Sequence, residues 1–294
     1  MSKPTVICFG EVLWDLLPDG KIAGGAPMNV ACHVNNFGIQ SKMISRVGSD
    51  DLGLELLHFL KNKGVDIALI QQDSTFPTGV VNVTLTDTGQ PSYEIVQRVA
   101  WDYIQLDAAN QEAVAVADAL VFGSLACRTD RTRNTLLGLL EEAPYAVFDI
   151  NLRPPFYSQR LLEELLEKAA LVKMNDEELD IVAAWYDDYS TVEEKMHLVS
   201  NRFALESLVL TQGAAGALLL TDGMLFSQKG FPVKVQDTIG SGDTFLAGLL
   251  YKKLSRAAPQ ECLEFACGAG ALVASLKGGT PTIDEAMVRA LIEK

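Results

Sequence analysis

The stretch that decides the fold is Asp237-Thr-Ile-Gly-Ser-Gly-Asp243, which runs directly into the apolar sequence Thr-Phe-Leu-Ala-Gly-Leu-Leu. The residues before it, VKVQ (233–236), alternate in polarity and predict the end of a strand. The leucines and the phenylalanine after it recur at helical spacing. The two glycines therefore mark a predicted turn from a strand into the N-terminus of a helix.

A helix that starts in this way offers a binding site for an anion. We expect the backbone N–H groups of Gly240, Ser241 and Gly242 to be free, at the positive end of the helix dipole. Such an arrangement binds phosphate, and a carboxylate at Asp243 can take a proton from a hydroxyl that attacks it. The alternative interpretation is a capped helix, since a short glycine motif alone is a weak signal.

The bulk composition limits the class of protein. The chain has 294 residues, of which 48% are hydrophobic and 21% charged, as in an ordinary globular protein. A net charge of −14 argues against nucleic acid and anionic membrane surfaces as partners. No apolar stretch approaches the ~18 residues of a membrane span, and the opening apolar run is short for a secretory signal. Five scattered cysteines without metal-ligand spacing predict free thiols in a reducing compartment, so we expect a cytoplasmic protein.

Strand and helix patterns alternate along most of the chain. This order predicts an α/β fold with a doubly wound, mostly parallel sheet flanked by helices. The segments GVVNVTLT (79–86) and PSYEIVQ (91–97) alternate at period two around a turn, which predicts a β-hairpin. Because the hairpin interrupts the rhythm, we expect residues 79–97 and 12–23 to form a small β-sheet lid within a single domain spanning residues 1–294.

Polar residues follow two of the predicted strands. Asn151 and Arg153 come after the strand AVFDIN (146–151), at the sheet edge where open α/β sheets bind ligands. Arg153 is either an anion-binding group or an ordinary surface arginine. Asn175 and Glu178 follow the strand LVKMN and have the spacing of a helix capping box.

A second group of polar residues lies near the start of the chain. Asp15 and Asn29 flank Gly24-Gly25, whose missing side chains allow a ligand to approach the backbone. Pro27 suits the first turn of the helix that contains Asn29. A turn-forming aspartate and a surface asparagine explain these residues equally well.

Taken together, these stretches resemble the ribokinase-like (PfkB) family of sugar kinases. The similarity runs from GEVLWDLLPDGKIAGGAPMNVA (10–31) to DTIGSGDTFLAGLL (237–250) and KGGTPT (277–282). The family transfers the γ-phosphoryl group of ATP to a hydroxyl of a sugar or nucleoside, with Mg²⁺. The resemblance implies that Asp243 is the catalytic base and that the three residues before it form an anion hole.

The resemblance also implies roles for residues elsewhere. The residues matched to the sugar site are Asp15, Gly25 and Asn29, and those matched to the nucleotide site are Asn175, Glu178, Thr211 and Gly213. Glu178 would act on Mg²⁺ through water. Asp237, with nearby carbonyl groups, matches a site for a monovalent cation such as K⁺. Ala266 falls near a position that contacts adenine in the family.

The choice of sugar rests on two short runs. GGAPMNVA (24–31) is similar to the fructokinase branch of the family, and the run D-x-N-x-R-P at 149–154 occurs there too. Kinases of 2-keto-3-deoxygluconate carry a similar run, in which Arg153 would pair with the carboxylate of the sugar acid. We favour fructose, with 2-keto-3-deoxygluconate or another ketose second.

Other classes of function remain as alternatives. One is a sugar-binding regulator without turnover, and another is a dinucleotide-dependent oxidoreductase, which would need the missing G-x-G-x-x-G motif. The alternating residues Val81, Val83 and Leu85 fit either a lid closed over the substrate or an exposed homodimer contact.

Overall fold

The computed structural model describes residues 3–18, 20–85, 91–187 and 190–294. Its strands, in chain order, are β1 (Thr5–Phe9), β2 (Leu13–Leu17), β3 (Gly20–Gly24), β4 (Gln40–Gly48), β5 (Ile70–Asp73), β6 (Gly79–Leu85), β7 (Pro91–Ile95), β8 (Ala119–Gly123), β9 (Ala146–Asp149), β10 (Leu171–Asn175), β11 (Ser207–Thr211), β12 (Gly216–Thr221) and β13 (Met224–Lys229). Its α-helices are α1 (Ala26–Asn36), α2 (Asp51–Asn62), α3 (Ala108–Ala115), α4 (Asp130–Leu140), α5 (Gln159–Leu166), α6 (Asp176–Ala183), α7 (Val192–Arg202), α8 (Ser241–Leu254), α9 (Pro259–Ala274) and α10 (Glu285–Ile292). None of these helices is long and apolar enough to cross a bilayer.

The large sheet has the strand order β13-β12-β11-β10-β9-β8-β1-β4-β5 in the described residues. All pairings from β11 to β5 are parallel, and only β12 and β13 at one edge run antiparallel. The prediction of a doubly wound, mostly parallel sheet is confirmed. The carboxyl ends of all the parallel strands lie at one edge of the sheet, which is the usual ligand-binding edge of such sheets.

Each face of the large sheet has its own hydrophobic core. In β1, Val6 and Cys8 pack into the core shared with α1, α8 and α9, whereas Ile7 and Phe9 pack into the core shared with α3 to α7. The alternation follows from the period of two along a strand. Because both faces are buried, the central strands β1 and β8 consist almost entirely of apolar residues.

A second sheet has the order β3-β2-β6-β7. β6 and β7 pair antiparallel with Val81 opposite Ile95, so the predicted hairpin is confirmed, although residues 86–90 of its turn lie outside the described part. β2 joins β6 in parallel, with Leu13 opposite Gly79. The indole of Trp14 in β2 donates a hydrogen bond to Leu52 O in α2 at 3.0 Å and so holds the small sheet against this helix.

The prediction of a strand at 233–236 is wrong. β13 ends at Lys229, and the chain from there to α8 contains no strand. The Gln236 N–H donates to Ala274 O at 2.8 Å, so this segment is bound to the end of α9 instead of to a neighbouring strand. Val235 is accordingly 60% exposed. The turn of Gly240, Ser241 and Gly242, which we call the anion-binding turn after its expected role, is therefore approached by a segment bound to α9 and not by a strand of the sheet.

Candidate active site

A cavity of about 560 Å³ lies at the carboxyl edge of the large sheet, where β2, β6 and β7 of the small sheet form one wall. It brings together ten of the residues selected from the sequence: Asp15, Gly25, Asn29, Arg153, Asn175, Glu178, Thr211, Gly240, Gly242 and Asp243. Residues that are far apart in the chain meet here because α1, α6 and α8 all begin at this edge. The small sheet contributes Leu13, Val81, Tyr93 and Ile95 to the lining.

A second cavity of about 580 Å³ adjoins the first. Three residues, Thr211, Thr238 and Gly242, line both. Ser241 and Gly213, which were also selected from the sequence, line only the second cavity. Its other walls are almost entirely apolar and come from the segment before Asp237 and from one face of α9.

Ala266 lines neither of the two cavities. Ala266 is fully buried, and a Cβ atom on Gly248 of α8 would lie 3.4 Å from its Cα. The neighbouring face of α9, with Cys267, Gly270 and Ala271, lines the second cavity instead. Adjacent residues of a helix point in different directions, so Ala266 packs against α8 whereas Cys267 lines the second cavity.

Gly240 is the N-cap of α8 and has a left-handed backbone with φ 74°. A Cβ atom at this position would lie 2.2 Å from Gly279 O, so both conformation and space require glycine. The Ser241 N–H donates to Thr238 O at 3.3 Å, which contradicts the expectation that all three N–H groups of the turn are free. The Ser241 hydroxyl donates to Gly270 O at 2.8 Å and so fixes the turn to α9.

Asp243 lies in the first turn of α8 and reaches into the first cavity. The side-chain amide of Asn29 donates to its Oδ2 at 2.8 Å. Burial raises the pKa of Asp243 to about 6, and the negative charge of Asp149 acts in the same direction. The Asn29 hydrogen bond and the Lys173 ammonium oppose this rise. A carboxyl group with this pKa is ionised at neutral pH and can still accept a proton, as a general base must.

A buried ion pair lies directly behind the anion-binding turn. Lys173 Nζ donates to Asp149 Oδ1 at 2.8 Å, and both residues are less than a tenth exposed. Lys173 lines the first cavity, and its Nζ would lie 3.4 Å from a Cβ atom on Gly242. Burial alone would lower the pKa of Lys173, but the carboxylates of Asp149 and Glu178 raise it. The ammonium is thus a fixed positive charge beside the position where phosphate is expected.

The capping box at the start of α6 is confirmed. Asn175 Oδ1 accepts from the Glu178 N–H at 2.9 Å, and Glu178 Oε2 accepts from the Asn175 N–H at 2.9 Å. Glu178 Oε1 also accepts from the Leu152 N–H at 2.9 Å. Backbone groups from two loops therefore orient a carboxylate that is 5% exposed and lines the cavity.

Two further carboxyl groups line the first cavity together with Arg153. Glu11, which follows β1, is buried, and burial raises its pKa to about 7. Asp15 is half-buried, and burial raises its pKa to about 6. Arg153 is exposed and donates to Leu152 O at 3.0 Å, so its guanidinium retains donors for a ligand.

Asp237 lines neither cavity. Its carboxylate accepts from the Ile239 N–H and the Gly278 N–H, each at 3.0 Å, and so closes the loop around the turn. The same loop is held by α1, since His33 Nε2 lies 2.9 Å from Gly279 O. A role of Asp237 toward K⁺ stays a prediction.

Three charged residues of the site, Glu11, Asp149 and Lys173, were not among those selected from the sequence. Glu11 had the signal that identified Arg153, because it is a polar residue directly after an apolar strand. Lys173 and Asp149 are charged residues inside apolar strand patterns, and such residues are almost never buried without a partner. In the described residues, no group of three or more His, Cys, Asp or Glu side chains could hold a metal ion.

Comparison with known proteins gives a consistent result. The sequence profile of the pfkB family carbohydrate kinases matches residues 18–286. A fructokinase from Klebsiella pneumoniae is 31% identical over 288 residues, which cover 90% of this chain and 92% of that protein. A fructokinase from Solanum tuberosum is 29% identical and covers 96% of this chain and 93% of its own length.

Solved structures agree with this result. The Vibrio cholerae O395 fructokinase, in its form with bound fructose, ADP and calcium ion, superposes with a TM-score of 0.84 at 27% identity, covering 99% of this chain and 100% of that one. The Xylella fastidiosa fructokinase with bound ATP shares the fold with a TM-score of 0.88 at 24% identity, covering 99% of each chain. The predicted ribokinase-like architecture with a small β-sheet is thereby confirmed. The chain belongs to the pfkB family of carbohydrate kinases.

Proposed function

We propose that the protein is a fructokinase that transfers the γ-phosphoryl group of ATP to a hydroxyl of fructose. The observation that carries this proposal is the position of Asp243. It lies at a helix N-terminus beside the place where a polar cavity and an apolar cavity meet. A sugar in the polar cavity and a nucleotide in the apolar cavity would bring a hydroxyl and a phosphate together at this point.

The second cavity fits a nucleotide. Its volume lies within the usual range for small-molecule sites, and its apolar walls suit a base. The polar residues Thr211, Thr238 and Ser241 are at the end that adjoins the anion-binding turn, where phosphates would be bound. Thr211 and Gly213 would contact the nucleotide, as the family resemblance implies.

The residues present also fit Mg²⁺. This ion usually keeps several waters and binds through one or two carboxylates together with substrate phosphates. Glu178 offers such a carboxylate, already oriented by two backbone N–H groups, and Asn175 lies beside it. When bound with the nucleotide, Mg²⁺ would neutralise charge on its phosphates. K⁺ near Asp237 is a further part of the proposal.

The chain's own residues would supply positioning and charge stabilisation, which dominate phosphoryl-transfer catalysis. Asp243 accepts the proton of the attacking hydroxyl, and Asn29 holds its carboxylate in place. The turn at Gly240 and Gly242 and the Lys173 ammonium stabilise the charge of the transferred group. The small sheet excludes water from the sugar.

The charge balance of the sugar cavity supports a neutral sugar. Its lining includes the carboxyl groups of Glu11, Asp15 and Asp243 against the single unpaired cation of Arg153, within the described residues. Lys173 is already paired with Asp149. A sugar acid such as 2-keto-3-deoxygluconate would add a further negative charge, which favours fructose over the acid. Arg153 remains the one feature that supports the acid.

The experiment measures ADP release from Mg·ATP with fructose, 2-keto-3-deoxygluconate, ribose, glucose and adenosine, with and without K⁺. We expect fructose to give the highest kcat/KM. Preference for the keto acid would assign Arg153 to its carboxylate and replace the proposal. A folded protein that binds ATP but turns over none of these sugars would support a binding role on a kinase fold.

Three broader expectations belong to the same proposal. We infer that residues 1–294 act as a single domain with the small sheet as its lid, since Val81 is buried and faces the cavity. A homodimer through the lid is supported by Ile22 and Tyr93, which are exposed apolar residues, and light scattering tests it. The side chain of Leu85 lies outside the described part. The cysteines are buried free thiols, which supports a cytoplasmic location.

A further inference from the structure

Glu11 occupies a position that the proposed chemistry does not use. It follows β1 and Gly10 in the sequence, and it is only 3% exposed. The backbone carbonyl of Glu11 packs against the start of α1, where a Cβ atom on Gly25 would lie 2.4 Å from it. Glu11 is one of the residues that line the first cavity, together with Asp15 and Asn29.

The Glu11 carboxyl group is only half satisfied by the protein. Oε1 accepts from the Ala26 N–H at 3.3 Å, which is a long hydrogen bond. Oε2 has no hydrogen-bond partner among the described residues, although it is buried. An unpaired buried carboxyl oxygen is unfavourable and calls for an explanation.

Asp102, a buried carboxylate that lines neither cavity, provides a comparison. Asp102 is 1% exposed, and both of its oxygens accept from Arg128, at 2.6 and 2.8 Å. Its Oδ2 also accepts from the Val99 N–H at 3.2 Å. This carboxylate needs no further partner. Glu11 differs because it has an unpartnered carboxyl oxygen and is one of the residues that line the cavity of the proposed substrate.

The charged groups around Glu11 do not provide the missing partner. Arg153 is exposed and donates to Leu152 O, and no ion pair between Glu11 and Arg153 is formed in the described structure. Lys173 is held by Asp149. Asp15 and Asp243 carry the same sign of charge as Glu11. A neutral hydroxyl group is therefore the partner that the cavity suits.

We infer that Glu11 is a sugar-binding residue whose Oε2 hydrogen-bonds to one hydroxyl of the substrate and thereby selects a neutral sugar over a sugar acid. The inference rests on the proposed kinase function and deepens it. Near neutral pH the Glu11 carboxyl is close to its pKa of about 7, so it can act as donor or acceptor toward a hydroxyl. The sugar acid is disfavoured because Glu11, Asp15 and Asp243 already concentrate negative charge.

The first test replaces Glu11 by glutamine, which keeps the size and an oxygen that can accept from the Ala26 N–H. With the sugar that the wild type uses best, we expect the KM of Glu11→Gln to rise about tenfold or more, with kcat within about threefold. The ratio of kcat/KM for 2-keto-3-deoxygluconate to that for fructose should rise. The control Glu142→Gln removes one charge at an exposed position and should leave both constants unchanged.

Deoxy sugars identify the contact. If Oε2 bonds to one hydroxyl, the difference between wild type and Glu11→Gln disappears for the deoxyfructose that lacks this hydroxyl, and persists for the others. An equal loss with every deoxyfructose would mean that the substitution disturbs the whole cavity, and this would overturn the inference. An unchanged KM in a folded variant would do the same.

A crystal structure of the wild type with bound sugar tests the same point without a variant. We expect Oε2 of Glu11 within about 3.2 Å of a sugar hydroxyl. A distance beyond about 4 Å, or a water that fills the position in the presence of sugar, would overturn the inference. Failure of the wild type to phosphorylate any sugar is a different result, which counts against the proposed function.

Discussion

The side-chain amide of Asn29 donates a hydrogen bond to Oδ2 of Asp243 over 2.8 Å and so joins the first turn of α1 to the first turn of α8. Asn29 Oδ1 is buried and has no partner in the part of the chain that the structure describes. The nitrogen of one amide thus orients the proposed base, and its oxygen is left to accept from a sugar hydroxyl. Sugar binding and proton transfer would share this residue.

Replacing Asn29 by alanine should affect both functions. Loss of a hydrogen bond to the ionised carboxylate raises the pKa of Asp243. The acid limb of the pH profile of kcat/KM should therefore move to higher pH, and the KM for the sugar should rise. Steady-state kinetics between pH 5 and about 8 measure both effects. An unchanged acid limb would show that the hydrogen bond does not influence the base.

Replacing Asp243 by asparagine should remove turnover and leave the fold intact. The base contributes roughly 10²–10⁴ to the rate, so kcat should fall by that factor. ATP binding, measured by calorimetry, should stay within a few-fold of the wild type. In the wild type, kcat/KM should fall as the pH drops through about 6, because protonated Asp243 cannot accept a proton. Normal turnover by the variant would exclude Asp243 from the mechanism.

The buried pair of Lys173 and Asp149 should influence the base and the stability in different ways. Lys173→Met removes a cation that lowers the pKa of Asp243, so the acid limb should move to higher pH. It also leaves Asp149 buried and unpaired, which costs about 3–5 kcal/mol of unfolding free energy.

A double variant separates these effects. Lys173→Met with Asp149→Asn removes both charges and should recover part of the lost stability in denaturant unfolding. Its activity should stay low if the ammonium also stabilises the transferred phosphoryl group. Recovery of full activity would limit Lys173 to a structural role.

Gly240 can be compared with a glycine of the same backbone conformation elsewhere. Gly223, in the turn between β12 and β13, has φ 72° and no atom within 4 Å of the position that a Cβ would take, whereas a Cβ on Gly240 would overlap Gly279 O. Gly223→Ala should cost about 1–2 kcal/mol of stability from left-handed strain alone and keep normal kinetics. Gly240→Ala should in addition displace the anion-binding turn and reduce kcat/KM on the order of 10²-fold. Equal kinetics for the two variants would count against the turn as a binding element.

The capping box of α7 provides a control for the capping box that contains Glu178. α7 begins with a box formed by Thr191 and Glu194 at an exposed position. Glu194→Ala and Glu178→Ala should each lower the stability through loss of the capping box, and Glu178→Ala should lower it more, because Glu178 is buried and also accepts from the Leu152 N–H. Only Glu178→Ala should raise the concentration of Mg²⁺ needed for half-maximal activity. The same Mg²⁺ dependence in both variants would restrict Glu178 to its capping role.

Local sequence rules predicted the parts of the site that local geometry determines. The capping box of Asn175 and Glu178 and the hairpin of residues 79–97 follow from turn and cap chemistry over a few residues. The run at 233–236 has the same kind of pattern but forms no strand, because a tertiary hydrogen bond to Ala274 O overrides the alternation.

Contacts between distant segments were not predictable in this way. Lys173 and Asp149 lie on adjacent strands, and their pairing depends on the order of strands in the sheet. The opening of the second cavity to Cys267 instead of Ala266 depends on one residue of helix rotation. Glu11, in contrast, could have been selected from the sequence, because a polar residue shortly after the apolar strand β1 is a local signal.

The small sheet has a consequence for how the chain folds. Its central pairing joins β2 to β6 in parallel, and these strands are separated in the sequence by β3, α1, β4, α2 and β5. Closing so long a loop carries an entropic cost that local hairpins do not have, so β2 can pair with β6 only after the intervening segments are compact. The small sheet, which forms one wall of the first cavity, is therefore expected to be the last part of the domain to assemble and, in native-state hydrogen exchange, among the first to open.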